Sequence, residues 1–100
     1  MDSEKLIERK LVDGVKARGG LCVKFYSAYQ RGVPDRIILM PGGRIYFVEL
    51  KSTGKKPTKL QELFIQKLRD LGFIAVVIDT IDKLNAFMAT LDFDADTPQK

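Results

Sequence analysis

The chain has 100 residues, of which 45% are hydrophobic and 30% charged, and its formal net charge is +4. This length suits one domain with a single core, and the composition is typical of a globular protein. The sequence contains no histidine and one cysteine, Cys22, which excludes Ser-His-Asp triads, histidine-containing zinc sites and an internal disulfide. Because the thiol is alone and the N-terminus has no signal-like pattern, we expect a cytoplasmic protein.

The first half of the chain predicts one helix and three strands. Ser3 can cap a helix that runs to about Arg18, with an apolar side chain on every fourth residue. Strands are predicted at residues 21–27, 34–40 and 44–51. A Pro-Gly-Gly turn joins the last two strands, so they should form an antiparallel hairpin.

The second half predicts a helix, a strand and a final helix. Thr58 can cap a helix that ends at Gly72. Its predicted apolar face consists of Leu60, Leu63, Phe64, Leu68 and Leu71. Residues 73–78 form a continuous apolar run, which favours a strand covered on both faces. Thr80 begins the last helix. Its predicted inward side chains are Ile81, Leu84, Phe87, Met88 and Leu91.

The predicted order of elements is α-β-β-β-α-β-α, which indicates an α/β fold with a mixed central sheet flanked by helices. We assign residues 1–91 to the folded domain. Residues 92–100 are acidic and contain a proline, so we expect them to form a flexible C-terminal tail.

The predicted hairpin contains an unusual set of charged side chains. Glu49 interrupts an apolar strand, and alternation places Lys51 on the same face. If the turn is centred on Gly42, Asp35 faces Glu49 across the hairpin, and two such close carboxylates repel one another. A divalent cation between them would remove the conflict, and without histidine the oxygen ligands favour magnesium or manganese. The alternative is an ordinary Glu–Lys pair on a half-exposed strand.

Basic residues are concentrated in the same central part of the sequence. Candidate contacts to backbone phosphates are Arg31, Arg36, Lys55, Lys56 and Lys59. A basic field around isolated acids suits a polyanion such as DNA, although each cation can also be a solvated surface charge. Tyr26 and Tyr29 can stack on unpaired bases, but packing in the core or at its rim is the simpler interpretation.

Three segments together resemble a known family. Residues 32–36 (G-V-P-D-R), residues 47–51 (F-V-E-L-K) and Gln61 are similar to the motifs of the VRR-NUC domain, a branch of the PD-(D/E)XK nucleases. The similarity extends from about Glu4 to Phe87. It implies a restriction-endonuclease-like fold and magnesium- or manganese-dependent DNA cleavage. In such a site Asp35, Glu49 and the Leu50 backbone carbonyl would hold the metal.

The resemblance also implies roles for three further side chains. Lys51 would act on the attacking water and on the phosphate, where a cation can stabilise developing charge. Glu8 would contribute an acid from the first helix, with Glu4 as its rival, and either can instead be a solvated helix acid. Gln61 would help to position water or phosphate, but it can also complete a capping box with Thr58.

The predicted substrate is branched DNA, and the predicted assembly is a homodimer. Stand-alone members of this size are similar to homodimeric Holliday-junction resolvases, and a second copy would supply the second cut. Aromatic residues at Tyr26, Tyr29, Tyr46 and Phe87, together with Met88, could help to cover an interface. The alternatives are a flap- or end-directed nuclease and a non-catalytic DNA-binding module.

Overall fold

The computed structural model describes residues 1–96 and shows a four-stranded sheet flanked by helices. The elements are α1 (Glu4–Ala17), β1 (Leu21–Lys24), β2 (Arg36–Met40), β3 (Arg44–Leu50), α2 (Lys59–Asp70), β4 (Ile74–Ile78) and α3 (Ile81–Ala95). This order and the mixed sheet confirm the predicted α-β-β-β-α-β-α arrangement.

The strands lie in the order β1-β2-β3-β4. The pairs β1–β2 and β2–β3 are antiparallel, whereas β4 is parallel to β3 and follows it through α2. The predicted coverage of β4 on both faces holds for Ala75 and Ile78, which are buried in the two different cores. It is wrong for Phe73 and Ile74, which are 40% and 42% exposed, because β4 is an edge strand.

Two cores cover the two faces of the sheet. Helices α1 and α3 pack on one face, where Tyr46, Val48 and Leu50 of β3 are buried. The smaller core under α2 contains Phe47 of the same strand. Alternation along β3 therefore assigns successive side chains to different cores, and it places Glu49 on the α2 side of the sheet.

The buried stripe of α2 differs from the predicted one. Ile65 and Leu68 are buried, whereas three leucines of the predicted face are substantially exposed. These are Leu60 (45%), Leu63 (51%) and Leu71 (74%). Relative to the predicted face, the buried face of α2 is rotated by about one residue, because the helix packs toward β3 and β4 through Ile65. Part of the apolar surface of the helix is therefore left uncovered.

Helix α3 continues beyond the predicted domain boundary at residue 91. Residues 92–95 are helical, because Asp92 forms an ion pair with Arg18 at 2.7 Å and Asp94 accepts a hydrogen bond from the Tyr46 hydroxyl at 2.6 Å. The predicted tail is therefore wrong for these residues, and residues 97–100 lie outside the described part. At 15 residues α3 is the longest helix of residues 1–96, and none of these helices could span a bilayer.

The aromatic side chains also depart from expectation. Tyr26 and Tyr29 are 90% and 99% exposed, so the prediction that they pack in the core or at its rim is wrong. Both lie in the long loop between β1 and β2, outside the two cores. Conversely, Tyr46, Phe87 and Met88 are buried in the core of the protomer and cannot cover an interface.

Candidate active site

Asp35 and Glu49 meet at the open end of the β2–β3 hairpin. The register pairs Arg36 with Val48, as predicted for a turn centred on Gly42. Asp35 precedes β2 by one residue and donates its backbone N–H to Glu49 Oε1 at 3.2 Å. In return, Asp35 Oδ2 accepts the Leu50 N–H at 2.8 Å. Each carboxylate is thus fixed by the backbone of the opposite strand.

Glu49 is fully buried, at 0% exposure. Burial is the main cause that raises the pKa of its carboxyl to about 7, and the adjacent Asp35 carboxylate raises it further, against the opposing effect of Lys51. Its Oε2 atom is buried and has no hydrogen-bond donor within residues 1–96. A buried acid with an unsatisfied oxygen is costly unless a cation compensates it.

Lys51 lies directly beside this acid. Its Nζ atom is 3.1 Å from Glu49 Oε2, an ion-pair distance, although the ammonium is not directed for a hydrogen bond. The Lys51 N–H donates to the Ile78 carbonyl at 3.0 Å and extends the parallel pairing one residue beyond β3. Because its side chain is 20% exposed, the ammonium can reach an incoming anion while it remains next to the carboxylates.

Glu8, and not Glu4, lies at this end of the sheet. Helix α1 buries Ile7 against the core, which places Glu8 at the rim of a cavity of about 310 Å³ that Asp35 also lines. Glu8 Oε2 accepts a hydrogen bond from Arg36 Nη2 at 3.0 Å. Glu4 is exposed on the preceding turn.

Arg36 was predicted to contact phosphate on an open surface, and the structure places it differently. Its side chain is 11% exposed and holds Glu8, and its Nη1 donates to the Cys22 carbonyl at 3.3 Å. The guanidinium therefore anchors α1 to β1. Because β1 pairs with β2 at this point, Arg36 lies inside the fold and does not form part of an exposed basic patch.

Gln61 has the predicted capping role, and its side-chain Nε2 remains available for another hydrogen bond. Its Oε1 accepts the Thr58 N–H at 2.8 Å, and Thr58 Oγ1 accepts the Gln61 N–H at 3.2 Å, which completes the capping box. Within residues 1–96 its Nε2 makes no hydrogen bond, so both amide protons remain available to a ligand. The two predicted roles therefore use different atoms.

The remaining predicted cations are exposed. Arg31 belongs to the β1–β2 loop, Lys55 and Lys56 lie between β3 and α2, and Lys59 begins α2. The structure gives none of the four an ion-pair partner within residues 1–96. Their positions leave them free to interact with a polyanion.

The site offers a small set of oxygen donors for a cation. Within the described residues there is no cluster of three or more acids, cysteines or histidines suited to a metal, and Glu8 is bonded to Arg36. What remains is Asp35, Glu49 with its unsatisfied Oε2, and the adjacent Leu50 backbone. Two carboxylates with a backbone carbonyl fit a hard divalent cation that keeps several water ligands.

The mixed sheet presents an Asp–Glu–Lys set at the end of a hairpin. Residues 3–80 match the VRR-NUC domain family. The fold matches a solved structure titled as a VRR_NUC domain with a TM-score of 0.82 and 24% identity, covering 89% of this chain and 97% of that one.

A phage protein is a closer relative in sequence. The chain is 44% identical over 79 residues to "Putative nuclease p44" of Acyrthosiphon pisum secondary endosymbiont phage 1, which covers 79% of this chain and 85% of that protein. With the match over residues 3–80, this similarity shows that the chain belongs to the VRR-NUC nuclease domain family.

Proposed function

We propose that the protein is an endodeoxyribonuclease that hydrolyses phosphodiesters with magnesium or manganese. The observation that carries this proposal is the buried Glu49 carboxylate beside Asp35. Within residues 1–96 its Oε2 has no hydrogen-bond donor and forms an ion pair with Lys51 at 3.1 Å. For a site that only binds DNA, two adjacent carboxylates would repel the phosphates. A metal-dependent catalytic site gives these acids a function.

Each residue of the site has a separate proposed role in this hydrolysis. Asp35, Glu49 and the Leu50 carbonyl would hold the metal, which when bound lowers the pKa of water and neutralises a phosphate oxygen. Lys51 Nζ would orient the attacking water and stabilise charge on the phosphate. Gln61 Nε2 would donate to the same phosphate or water, and Glu8 would assist from α1.

We further propose that the substrate is branched DNA and that a homodimer resolves four-way junctions. One site cuts one strand, so two symmetric cuts need two copies related by a two-fold axis. An apolar area on the α2 side of the sheet, beyond the part covered by α2, suits such an interface. It consists of Leu21 (64% exposed), Val23 (42%), Leu39 (37%) and Ile45 (41%). We propose these four side chains for the interface, instead of the aromatic residues that the sequence suggested and that are buried in the structure.

Cleavage assays on linear duplex, flap and four-way DNA, each with magnesium, manganese or chelator, would test the activity. We expect metal-dependent paired nicks on opposing strands of the junction and no cleavage in chelator. Undiminished cutting in chelator by a pure sample would overturn the metal site. A protein that binds DNA but cuts none of these substrates with either metal would favour the non-catalytic module.

Light scattering at micromolar concentration would test the assembly. We expect a dimer for the parent protein and a monomer for Leu21→Asp, since a charge at the centre of an apolar interface is unfavourable. The matched control is Leu71→Asp, which changes a leucine of similar exposure (74% against 64%) at the end of α2. A monomeric parent that makes only unpaired nicks would favour a flap- or end-directed nuclease.

A further inference from the structure

The β1–β2 loop carries two aromatic side chains that the fold does not use. Tyr26 and Tyr29 are 90% and 99% exposed, and within residues 1–96 neither makes a hydrogen bond or a ring contact. Their neighbour Phe25 behaves in the opposite way, because its ring packs against Phe47 at 6.0 Å and Phe64 at 6.3 Å. The loop is therefore anchored by one aromatic ring while it presents two others to solvent.

The loop is held in place on both sides of the tyrosines. The Phe25 N–H donates to the Asp35 carbonyl at 2.9 Å, and Ser27 Oγ accepts the Gln30 N–H at 2.9 Å. Gly32 has a φ of +82° and lies so close to α2 that an added Cβ would be 2.5 Å from the Leu60 carbonyl oxygen. These contacts fix the loop against α2, so the rings are displayed on an ordered support.

Tyr26 also lies at the border of two cavities. It lines the cavity of about 310 Å³ that contains Asp35 and Glu8. It also lines a second cavity of about 480 Å³, together with Gln30, Arg31 and Gln61. The second cavity is thus lined by one cation, suited to a phosphate, and by two side-chain amides. Gln30 Nε2 donates to the Arg31 carbonyl at 3.2 Å, which leaves Gln30 Oε1 and Gln61 Nε2 for the hydrogen-bonding edge of a base.

We propose that this loop binds an unpaired nucleobase next to the phosphate that is cut, with Tyr26 as the main stacking side chain and Tyr29 as a second one. The proposal rests on the proposed function and adds to it a reason for choosing branched DNA. A base inside a duplex already stacks on its neighbours, whereas a base at a junction centre or in a flap has a free face. The exposed Arg31 supports a nucleic acid as the occupant, because its charge complements a phosphate.

Binding measured without cleavage would test this stacking role of Tyr26 and Tyr29. In chelator, the parent protein would be titrated against a single-stranded oligonucleotide carrying 2-aminopurine and against a blunt duplex of equal length. We expect the fluorescence of 2-aminopurine to be quenched by stacking. Tyr26→Ala should weaken single-strand binding by about tenfold or more and abolish the quench, whereas Tyr26→Phe should retain both.

The controls separate stacking from charge and from folding. Leu71→Ala removes another exposed apolar side chain away from the loop and should change neither binding nor quenching. Duplex binding should be nearly unchanged in Tyr26→Ala. Equal losses for single strand and duplex, or no loss for either, would overturn the stacking role and leave the tyrosines to a different partner.

The outcome is distinguishable from failure of the proposed function, because no step of this assay needs metal or cleavage. If the protein cuts no DNA but shows tyrosine-dependent quenching, the proposed stacking role stands and the proposed nuclease activity is wrong. If cleavage occurs, an abasic nucleotide at the stacking position should slow the parent but not Tyr26→Ala, since the variant has already lost that contact. Additive losses would contradict the proposal.

Discussion

The two ends of the β2–β3 hairpin carry similar polar groups but satisfy them differently. At the turn, Arg44 donates to the Pro41 carbonyl, the Tyr46 hydroxyl and the Leu91 carbonyl, and Tyr46 in turn donates to Asp94. At the open end, Asp35 and Glu49 lie side by side. Glu49 Oε2 forms an ion pair with Lys51 but has no hydrogen-bond donor within the described residues. Within residues 1–96, the polar groups at the turn have hydrogen-bond partners without a ligand, whereas Glu49 Oε2 at the open end does not.

This difference separates stability from function along one pair of strands. Buried polar networks stabilise a fold when every member is satisfied, and an unsatisfied buried acid lowers stability. The turn therefore fixes the register that brings Asp35 to Glu49, while the open end retains an electrostatic conflict that a cation can relieve.

The largest expected effect is that of Lys51→Ala on cleavage. We expect the rate constant for cleavage to fall by about 10²–10³-fold, because the variant lacks the cation that stabilises charge on the phosphate. DNA affinity should change little, since the exposed cations of the central segment remain. Lys10→Ala, at an exposed lysine of α1, is the matched control and should keep nearly the parental rate. A Lys51→Ala protein of near-parental activity would refute the assignment.

Glu49→Gln should abolish cleavage and yet stabilise the metal-free protein. The amide keeps an oxygen that can accept the Asp35 N–H but removes the buried charge, so the free energy of unfolding at pH 8 should rise by about 1–3 kcal/mol. Urea denaturation of both proteins in chelator would measure this. An equally large loss of stability would instead show that the ionised carboxylate supports the fold.

The pH dependence of this effect has a definite sign. The pKa of Glu49 is raised from 4.5 to about 7 in the folded protein, so the folded state binds the proton more tightly than the unfolded state. The parent should therefore lose stability as the pH rises from about 4.5 to about 7, and the advantage of Glu49→Gln should grow over the same window. A pH-independent difference would contradict the raised pKa.

At the turn end, Tyr46→Phe should have the opposite effect. It removes a hydroxyl that donates to Asp94 at 2.6 Å and accepts from Arg44 Nη1 at 2.9 Å. We expect a loss of about 1–3 kcal/mol in the free energy of unfolding, because both partners lose a hydrogen bond at a largely buried position. Cleavage by the folded variant should be unchanged under conditions where it remains native, which a rate measured well below its melting temperature would check.

Much of the fold and part of the site follow from local sequence rules. The Pro-Gly-Gly turn set the register, and strict alternation placed Glu49 and Lys51 on one face. Capping by Ser3, Thr58 and Thr80 set the helix starts. These features depend on neighbours in the sequence, which is why they could be predicted.

What could not be predicted depends on contacts between distant elements. Arg36 belongs to the basic central segment and was therefore predicted to contact DNA. Its partner Glu8, however, is 28 residues away on another element. Likewise, Asp92 and Asp94 look like tail residues until Arg18 and Tyr46 are placed beside them. The exposure of Tyr26 follows from its place in a loop outside both cores, and no sequence period signals it.

The smallest expected effect is that of Asp92→Asn, which tests whether surface pairing or buried bonding holds the end of α3. Asp92 and Arg18 are bonded at 2.7 and 3.1 Å, and the guanidinium lowers the pKa of the Asp92 carboxyl. Its contribution should therefore be present near neutral pH and be lost as the pH falls through the lowered value. Because the pair is solvent-exposed, the melting temperature of Asp92→Asn should drop by less than that of Tyr46→Phe, and the drop should shrink in high salt. A salt-sensitive loss as large as that of Tyr46→Phe would show that the ion pair to Arg18 holds the end of α3 as strongly as the Tyr46–Asp94 bond does.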